Sequence, residues 1–234
     1  MVPDREEGRA SGRDSTGLRG IDGLRMRRNC AESDIISTVM LPLVELPATT
    51  RIRLIPPRDQ DLERVALLFG ELEPVLLWLG PRRPIREIAL ELIEKRELPP
   101  EGNPDRALTA LIQDPADSCL LGVLEYYCGY PEEDCLYIGS LFLSPRCQGK
   151  GYGSEIETAI AQAALERGYR WIYLAVGILN WPALRFWTGR GFTEITFVSG
   201  DEAFGPGKFA VIELRRPIAG TPDWSPTGGG LRVA

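Results

Sequence analysis

The sequence contains no histidine among its 234 residues. Histidine is a frequent general base and a common metal ligand. Its absence excludes Ser-His-Asp and Cys-His mechanisms and every zinc site that depends on histidine, and we expect no bound metal. If the protein is an enzyme, its general base must therefore be Asp, Glu, Lys, Tyr, Cys or a water molecule.

Cysteine pairs, long apolar runs and positive charge are also scarce. The five cysteines form no C-x-x-C pair, which indicates free thiols in a reducing compartment. No apolar run approaches the ~20 residues of a membrane span, and the N-terminal "MVPDREEGRASGRDSTGLRG" has no apolar signal core. We therefore expect a cytoplasmic protein without membrane contact. A net charge of −6 disfavours nucleic acid; it indicates a solvated surface or, alternatively, a cationic small substrate.

Hydrophobic patterning divides the chain into three parts. Residues 1–48 and 217–234 are poor in apolar periodicity and predict a flexible N-terminal extension and a flexible C-terminal tail. Residues 49–216 predict one mixed α/β domain. Its expected order is a strand, two helices, three strands, a helix, a strand, a helix and two strands. Pro74 is expected to end or kink the first helix.

A glycine-rich loop, "RCQGKGYGS" at 146–154, separates an apolar strand from an alanine-rich helix. Such a loop suits a phosphate group, because the first N–H groups of a helix lack partners and glycine allows close approach. Absent side chains at Gly149, Gly151 and Gly153 would let a pyrophosphate reach those N–H groups. The loop lacks the Walker A and Rossmann patterns. A plain glycine turn that caps a helix is the alternative.

Two motifs resemble those of one enzyme superfamily. The run Gln148-Gly149-Lys150-Gly151-Tyr152-Gly153 matches Q/R-x-x-G-x-G/A, the acyl-CoA pyrophosphate motif of the GNAT (Gcn5-related N-acetyltransferase) superfamily. The strand ending in "LFLSP" and the downstream "NWPALRFWTGRGF" also resemble that family, at the same spacing. The resemblance implies acetyl-CoA as co-substrate and an α/β fold. That fold has a mixed, mostly antiparallel central sheet flanked by helices, and the sheet splays at strands 4 and 5.

The resemblance also implies binding roles at matching positions. Backbone groups of Leu141, Phe142 and Leu143 would pair with the pantetheine arm as an added strand. Asn180 would bond the pantetheine, act as a helix N-cap, or do both. The charges of Lys150 and Arg146 either meet phosphate oxygens or are solvated. The N–H groups of the glycine loop would hold the pyrophosphate; that loop comprises Gln148, Gly149, Lys150, Gly151, Tyr152, Gly153 and Ser154.

The sequence departs from the family at both proton-transfer positions. GNAT enzymes often have a glutamate base on the fourth strand, where this chain has Tyr137 or Gly139, and a tyrosine acid where it has Trp187. Glu125, a lone charge within the apolar "GVLEYYC", is the substitute base, or else faces outward as an ordinary strand residue. Tyr137 could relay a proton through water. The backbone N–H of Leu143 would stabilise the oxyanion, and Trp187 would form a wall for the pantetheine.

The leading hypothesis is an N-acetyltransferase that acts on a primary amine of a small molecule or peptide by direct attack in a ternary complex. Two alternatives remain open. The missing proton-transfer residues favour a non-catalytic acyl-CoA-binding sensor or pseudoenzyme, and the donor could instead be a longer acyl-CoA. The acceptor, and whether the chain forms a homodimer, are open at this stage.

Overall fold

The structure is a computed structural model, and it describes residues 47–95, 98–201 and 207–218. Within these residues the predicted order of strands and helices is confirmed, except that three α-helices rather than two lie between the first two strands. The strands are β1 Arg53–Ile55, β2 Ala107–Gln113, β3 Leu120–Cys128, β4 Cys135–Leu143, β5 Trp171–Gly177, β6 Glu194–Gly200 and β7 Ala210–Pro217. The helices are α1 Leu62–Glu71, α2 Glu73–Leu76, α3 Ile85–Ile93, α4 Tyr152–Glu166 and α5 Trp181–Gly189.

The break between α1 and α2 lies at the predicted proline. Helix α1 ends at Glu71, and Pro74 is the second residue of α2, where its missing N–H costs no helical hydrogen bond. The short α2 was not a separate element in the sequence prediction.

The strands of the described chain form one mixed sheet in the order β1-β2-β3-β4-β5-β7-β6. Every neighbouring pair is antiparallel except β4 and β5, which are parallel. The fold class expected from the sequence is therefore confirmed. The parallel pair requires a crossover, and α4 supplies it.

Helices cover both faces of the sheet, and each layer has its own core. On one face, α4 and α5 pack on a cluster that includes Leu124, Ile156 and Ile172. On the other, α1 and α3 pack on a cluster that includes Val65, Phe69 and Val123. Leu124 and Val123 are neighbours in β3 and belong to different clusters, because successive strand side chains point to opposite faces.

Strands β4 and β5 separate after a short paired segment. Their pairing covers only Cys135–Ile138 with Trp171–Leu174. Strand β4 then continues to Leu143 beside β3, whereas β5 continues to Gly177 beside β7. The sheet thus splays at strands 4 and 5, as expected. The backbone edge of β4 beyond Ile138 borders the opening.

The predicted terminal segments fall largely outside the described residues. Residues 1–46 and 219–234 lie there, and so does Cys30. At the C-terminal boundary, β7 includes Pro217, and Ile218 is buried in the core beside α4 and α5. The packed domain therefore extends two residues beyond the boundary predicted at 216.

Candidate acyl-CoA site

The glycine loop joins the end of β4 to the start of α4. A short 3-10 turn at Pro145–Cys147 leads into the loop, and Gly151 is the residue before the first turn of α4. Gly149 has φ +72° and Gly151 has φ +83°, values that other residues adopt only with strain. A Cβ on Gly149 would have open space around it. Glycine is thus needed here for backbone conformation, which turns the loop toward α4.

The loop presents a continuous row of backbone donors. Within the described part of the chain, none of the N–H groups from Gly149 to Ser154 donates to a protein acceptor, and the first helical bond here runs from the Glu155 N–H to the Gly151 carbonyl. These donors lie at the N-terminus of a 15-residue helix, whose dipole favours an anion. The loop can therefore hold a phosphate or pyrophosphate.

The third glycine of the motif also affects the packing of the helices beside the loop. A Cβ on Gly153 would lie 3.2 Å from the ring of Phe186 on α5. The missing side chain at Gly153 thus makes room for helix packing between α4 and α5. Gly149 and Gly151 shape the loop, and Gly153 sets the distance between the two helices beside it.

Side chains around the loop fasten it to its surroundings. The Gln148 amide donates to the Leu143 carbonyl at 3.0 Å, so this side chain bridges the loop to the end of β4. The buried Ser144 hydroxyl donates to Glu71 on α1 at 2.5 Å. Lys150 is exposed, and Arg146 is 58% exposed with its Nη2 4.0 Å from Glu71. Both cations are accessible to phosphate oxygens.

A cavity of about 310 Å³ opens where β4 and β5 separate. One wall is the β4 segment that contains Leu141 and Phe142, and the opposite wall is β5 from Leu174 to Gly177. Helices α1 and α3 and the chain between α2 and α3 close it with mainly apolar side chains. The polar lining includes an ion pair, Arg83 to Glu91 at 2.6 Å. This pair is a feature that the sequence prediction missed.

Glu125 is partly buried and lines this cavity from β3. A β-bulge in β4 explains its neighbours, because Glu125 pairs with Ser140 whereas Tyr126 pairs with Ile138, leaving Gly139 as the extra residue. A Cβ on Gly139 would lie 3.9 Å from the Glu125 Cβ. The side chain of Glu125 thus lies next to Gly139 on β4, which has no side chain of its own.

Tyr137 is placed apart from the other candidate catalytic groups. It is absent from the cavity wall, and its ring packs edge-to-face on Tyr130 with centroids 5.5 Å apart. Burial, the Glu213 charge and a hydrogen bond to Glu213 raise the pKa of Tyr137. Glu213 is 5% exposed and also accepts a 2.5 Å hydrogen bond from Thr196. Tyr137 therefore belongs to a partly buried polar cluster with Glu213 of β7 and Thr196 of β6.

Asn180 and Trp187 line the cavity from α5. The Asn180 side chain accepts a hydrogen bond from the Ala183 N–H at 3.2 Å, so it caps the helix while bordering the cavity. Trp187 is 7% exposed and packs edge-to-face on Phe186 and Phe192. Its indole is an apolar wall with a donor only and no acidic proton.

Leu143 is the last residue of β4 and pairs with Gly122 of β3. Its carbonyl accepts the Gln148 amide, and Leu141 and Phe142 lie in the cavity wall immediately before it. The β4 edge and the glycine loop are therefore successive parts of one chain segment. Among the described residues, no cluster of Asp, Glu or Cys has the arrangement of a metal site, and no helix is long and apolar enough to cross a membrane.

Comparison with curated proteins gives partial matches. Thialysine N-epsilon-acetyltransferase of Bos taurus is 28% identical over 93 residues, which are 39% of this chain and 55% of that protein. The Sus scrofa protein of the same name is 29% identical over 93 residues with the same coverage. The chain thus spans about half the length of these curated relatives.

Solved structures share the fold. An acetyltransferase from Thermus thermophilus has a TM-score of 0.54 at 22% identity, covering 72% of this chain and 98% of that one. A spermidine N-acetyltransferase from Vibrio cholerae, in complex with CoA and spermine, has a TM-score of 0.55 at 18% identity, covering 72% and 96%. Residues 76–192, half of the chain, match the sequence model of the acetyltransferase (GNAT) family. With its splayed sheet and glycine loop, the chain belongs to the acetyltransferase (GNAT) family.

Proposed function

We propose that this protein is an N-acetyltransferase that moves the acetyl group of acetyl-CoA to a primary amine of a small molecule or peptide. One observation carries the proposal: the opening between β4 and β5 has the glycine loop beside one strand and Glu125 in its cavity wall. This arrangement supports an anion at the loop and a carboxylate near the reacting atoms. The proposed reaction takes place in the cytoplasm.

The residues of the site fit acetyl-CoA part by part. The N–H groups from Gly149 to Ser154 would hold the pyrophosphate, since they have no protein partner among the described residues. The β4 edge from Leu141 to Leu143 would pair with the pantetheine amides, as an added strand does. Asn180 and Trp187 would border the arm on the α5 side. Acetyl-CoA would supply an acyl group activated as a thioester.

Glu125 is the group best placed to act as general base. An amine acceptor arrives as an ammonium ion and must lose a proton before its nitrogen can form the amide bond. The Glu125 carboxylate would take that proton, directly or through water, from the β3 side of the cavity. The N–H of Leu143 would stabilise charge on the carbonyl oxygen. A departing thiolate with a reference pKa of about 8.5 needs no protein acid near neutral pH, consistent with Trp187 in place of a phenol.

The relatives suggest a primary aliphatic amine as acceptor, because their names refer to thialysine and spermidine. The cavity supports this class: its walls are mainly apolar and can hold an alkyl chain, while the Glu125 carboxylate lies in its lining in addition to the Arg83–Glu91 ion pair. Carboxylates attract an approaching ammonium group. We therefore infer that the acceptor combines an amine with an aliphatic body.

The test is release of free CoA thiol from acetyl-CoA in the presence of a panel that contains thialysine, lysine, spermidine and N-terminal peptide amines. We expect turnover with at least one aliphatic amine and a Glu125→Gln variant about 100-fold lower in kcat at pH 7, recovering at high pH. Glu63→Gln, which alters an exposed pair on α1, serves as the control. Tight CoA binding without turnover of any amine would instead favour the acyl-CoA sensor.

A further inference from the structure

The chain just before β1 reaches across to the glycine loop and the first turn of α4. The backbone N–H groups of Thr50 and Arg51 donate to Glu155 Oε1 at 2.7 and 2.9 Å, and the Thr50 hydroxyl donates to the same oxygen at 3.0 Å. Arg51 Nε donates to Glu155 Oε2 at 2.7 Å. Four donors from two adjacent residues thus hold one carboxylate.

Arg51 also contacts the loop itself. Its Nη1 donates to the Lys150 carbonyl at 3.0 Å, and its guanidinium carbon lies 4.9 Å from the centre of the Tyr152 ring. Its Nη2 lies 3.3 Å from the position that a Cβ on Gly151 would occupy. One guanidinium therefore contacts Lys150 and Tyr152 and lies beside Gly151 between them.

Glu155 lies in the first turn of α4, where its negative charge would affect an anion bound at the glycine loop. It is the fourth residue of α4, and because side chains on a helix lean toward its N-terminus, the Glu155 carboxylate could reach toward the first-turn N–H groups. There it would compete with a bound anion for the same donors and repel it. In the structure its side chain points instead to Thr50 and Arg51. Burial raises the pKa of Glu155, but the hydrogen bonds from Arg51 and Thr50 outweigh it and lower the pKa to about 2. Glu155 is therefore a carboxylate at neutral pH.

We propose that Arg51 is a positioning residue of the acyl-CoA site: together with Thr50 it holds the Glu155 carboxylate away from the loop N–H groups, and its guanidinium offsets the charge of that carboxylate. The proposal rests on the proposed function, because it assumes that the loop binds the CoA pyrophosphate. It adds a part of the site that lies outside residues 76–192, the range matched by the family. The N-terminal approach to β1 thereby tunes cofactor affinity.

Calorimetric titration with CoA, using the full chain and its variants, tests the proposal. Arg51→Met should bind CoA about fivefold more weakly, the size expected for one partly exposed ion pair. The difference should shrink at high salt. The double variant Arg51→Met/Glu155→Gln should regain wild-type affinity, because it has no carboxylate left to compete. Arg86→Met, which removes an arginine from an exposed pair on α3, is the matched control and should bind as the wild type does.

The double variant separates the electrostatic role from a merely structural one. If Arg51 only stabilised the fold, the double variant would bind as weakly as Arg51→Met or more so, and that result would overturn the proposal. Arg51→Lys, which retains the charge, covers the case in which Arg51→Met fails to fold, and we expect it to lie between wild type and Arg51→Met. If the wild type binds CoA and neither Arg51→Met nor Arg51→Lys changes the affinity, this inference alone is refuted. Absence of CoA binding by the wild type refutes the proposed function as well.

Discussion

A buried carboxylate on α4 ties together three elements around the candidate site. Glu157 has no exposed side-chain surface and accepts hydrogen bonds from Arg190, just after α5, and from Arg216 on β7. Its Oε2 lies 2.7 Å from Arg190 Nε and its Oε1 lies 3.1 Å from Arg216 Nε. The helix that begins with the glycine loop is therefore fixed to α5 and the sheet by charge.

Replacing Glu157 with glutamine would preserve its shape and remove its charge. Arg216 is 13% exposed, so its charge would be left largely out of water, whereas Arg190 at 32% would be partly hydrated. Breaking a buried ion pair costs about 3–5 kcal/mol, and the exposure of Arg190 favours the lower end. A loss of about 3 kcal/mol lowers the melting temperature of a domain this size by roughly 6–12 °C.

Thermal unfolding followed by circular dichroism measures this effect. Glu63→Gln is the matched control, because it removes the same charge from a pair in which both side chains are more than half exposed, and we expect it to change stability by less than about 0.5 kcal/mol. A Glu157→Gln variant as stable as this control would refute the reasoning. It would mean that Arg190 and Arg216 form hydrogen bonds to water or to other groups without a loss in the free energy of unfolding.

Three further predictions concern the pH dependence of stability, the N-terminus and the acid that would protonate the departing thiolate. The ionised Glu155 carboxylate stabilises the fold fully above pH 4.5, the ordinary pKa of a glutamate, and this stabilisation is lost as the pH falls toward 2. The difference in melting temperature between wild type and Glu155→Gln should therefore shrink over that pH range. A constant difference would contradict the contacts of Glu155. A chain that begins at Pro47, which is buried, should retain its melting temperature and CoA affinity, whereas loss of either would place residues before Pro47 against the domain. Trp187→Phe should raise KM more than it lowers kcat. In the wild type, kcat should rise with pH and then stay flat up to about pH 10. A fall in kcat at high pH that shifts in Tyr137→Phe would make Tyr137 the acid.

Local sequence signals were sufficient for the fold and for the loop. Strand alternation, helical spacing in α1 and α3, and the break at Pro74 follow from the chemistry of neighbouring residues, and the structure confirms them. Gly149 and Gly151 could be predicted as loop residues because backbone conformation is a local property. The motif around them also indicated the family, and the match over residues 76–192 confirms it.

Contacts between distant residues could not be predicted in the same way. Arg51 and Glu155 are 104 positions apart, and neither has a neighbour in sequence that marks it as a partner. Phe186 lies in the space beside Gly153, a contact that the motif around Gly153 does not indicate. The bulge at Gly139 changes which β4 side chains share a face with Glu125. Such features depend on register and packing, which a single sequence does not encode locally.

Binding of the CoA pyrophosphate by the glycine loop is the central element of the proposed function. Calorimetric titration of CoA into wild type and Gly151→Glu tests it, because the variant adds a side chain and a negative charge within the glycine loop. Like charges about 4 Å apart near a protein surface repel by about 4 kcal/mol, so we predict CoA affinity at least about 100-fold weaker. Gly70→Glu on the exposed side of α1, where an added Cβ meets nothing within 4 Å, should bind CoA normally. A folded Gly151→Glu variant with wild-type CoA affinity would contradict the account.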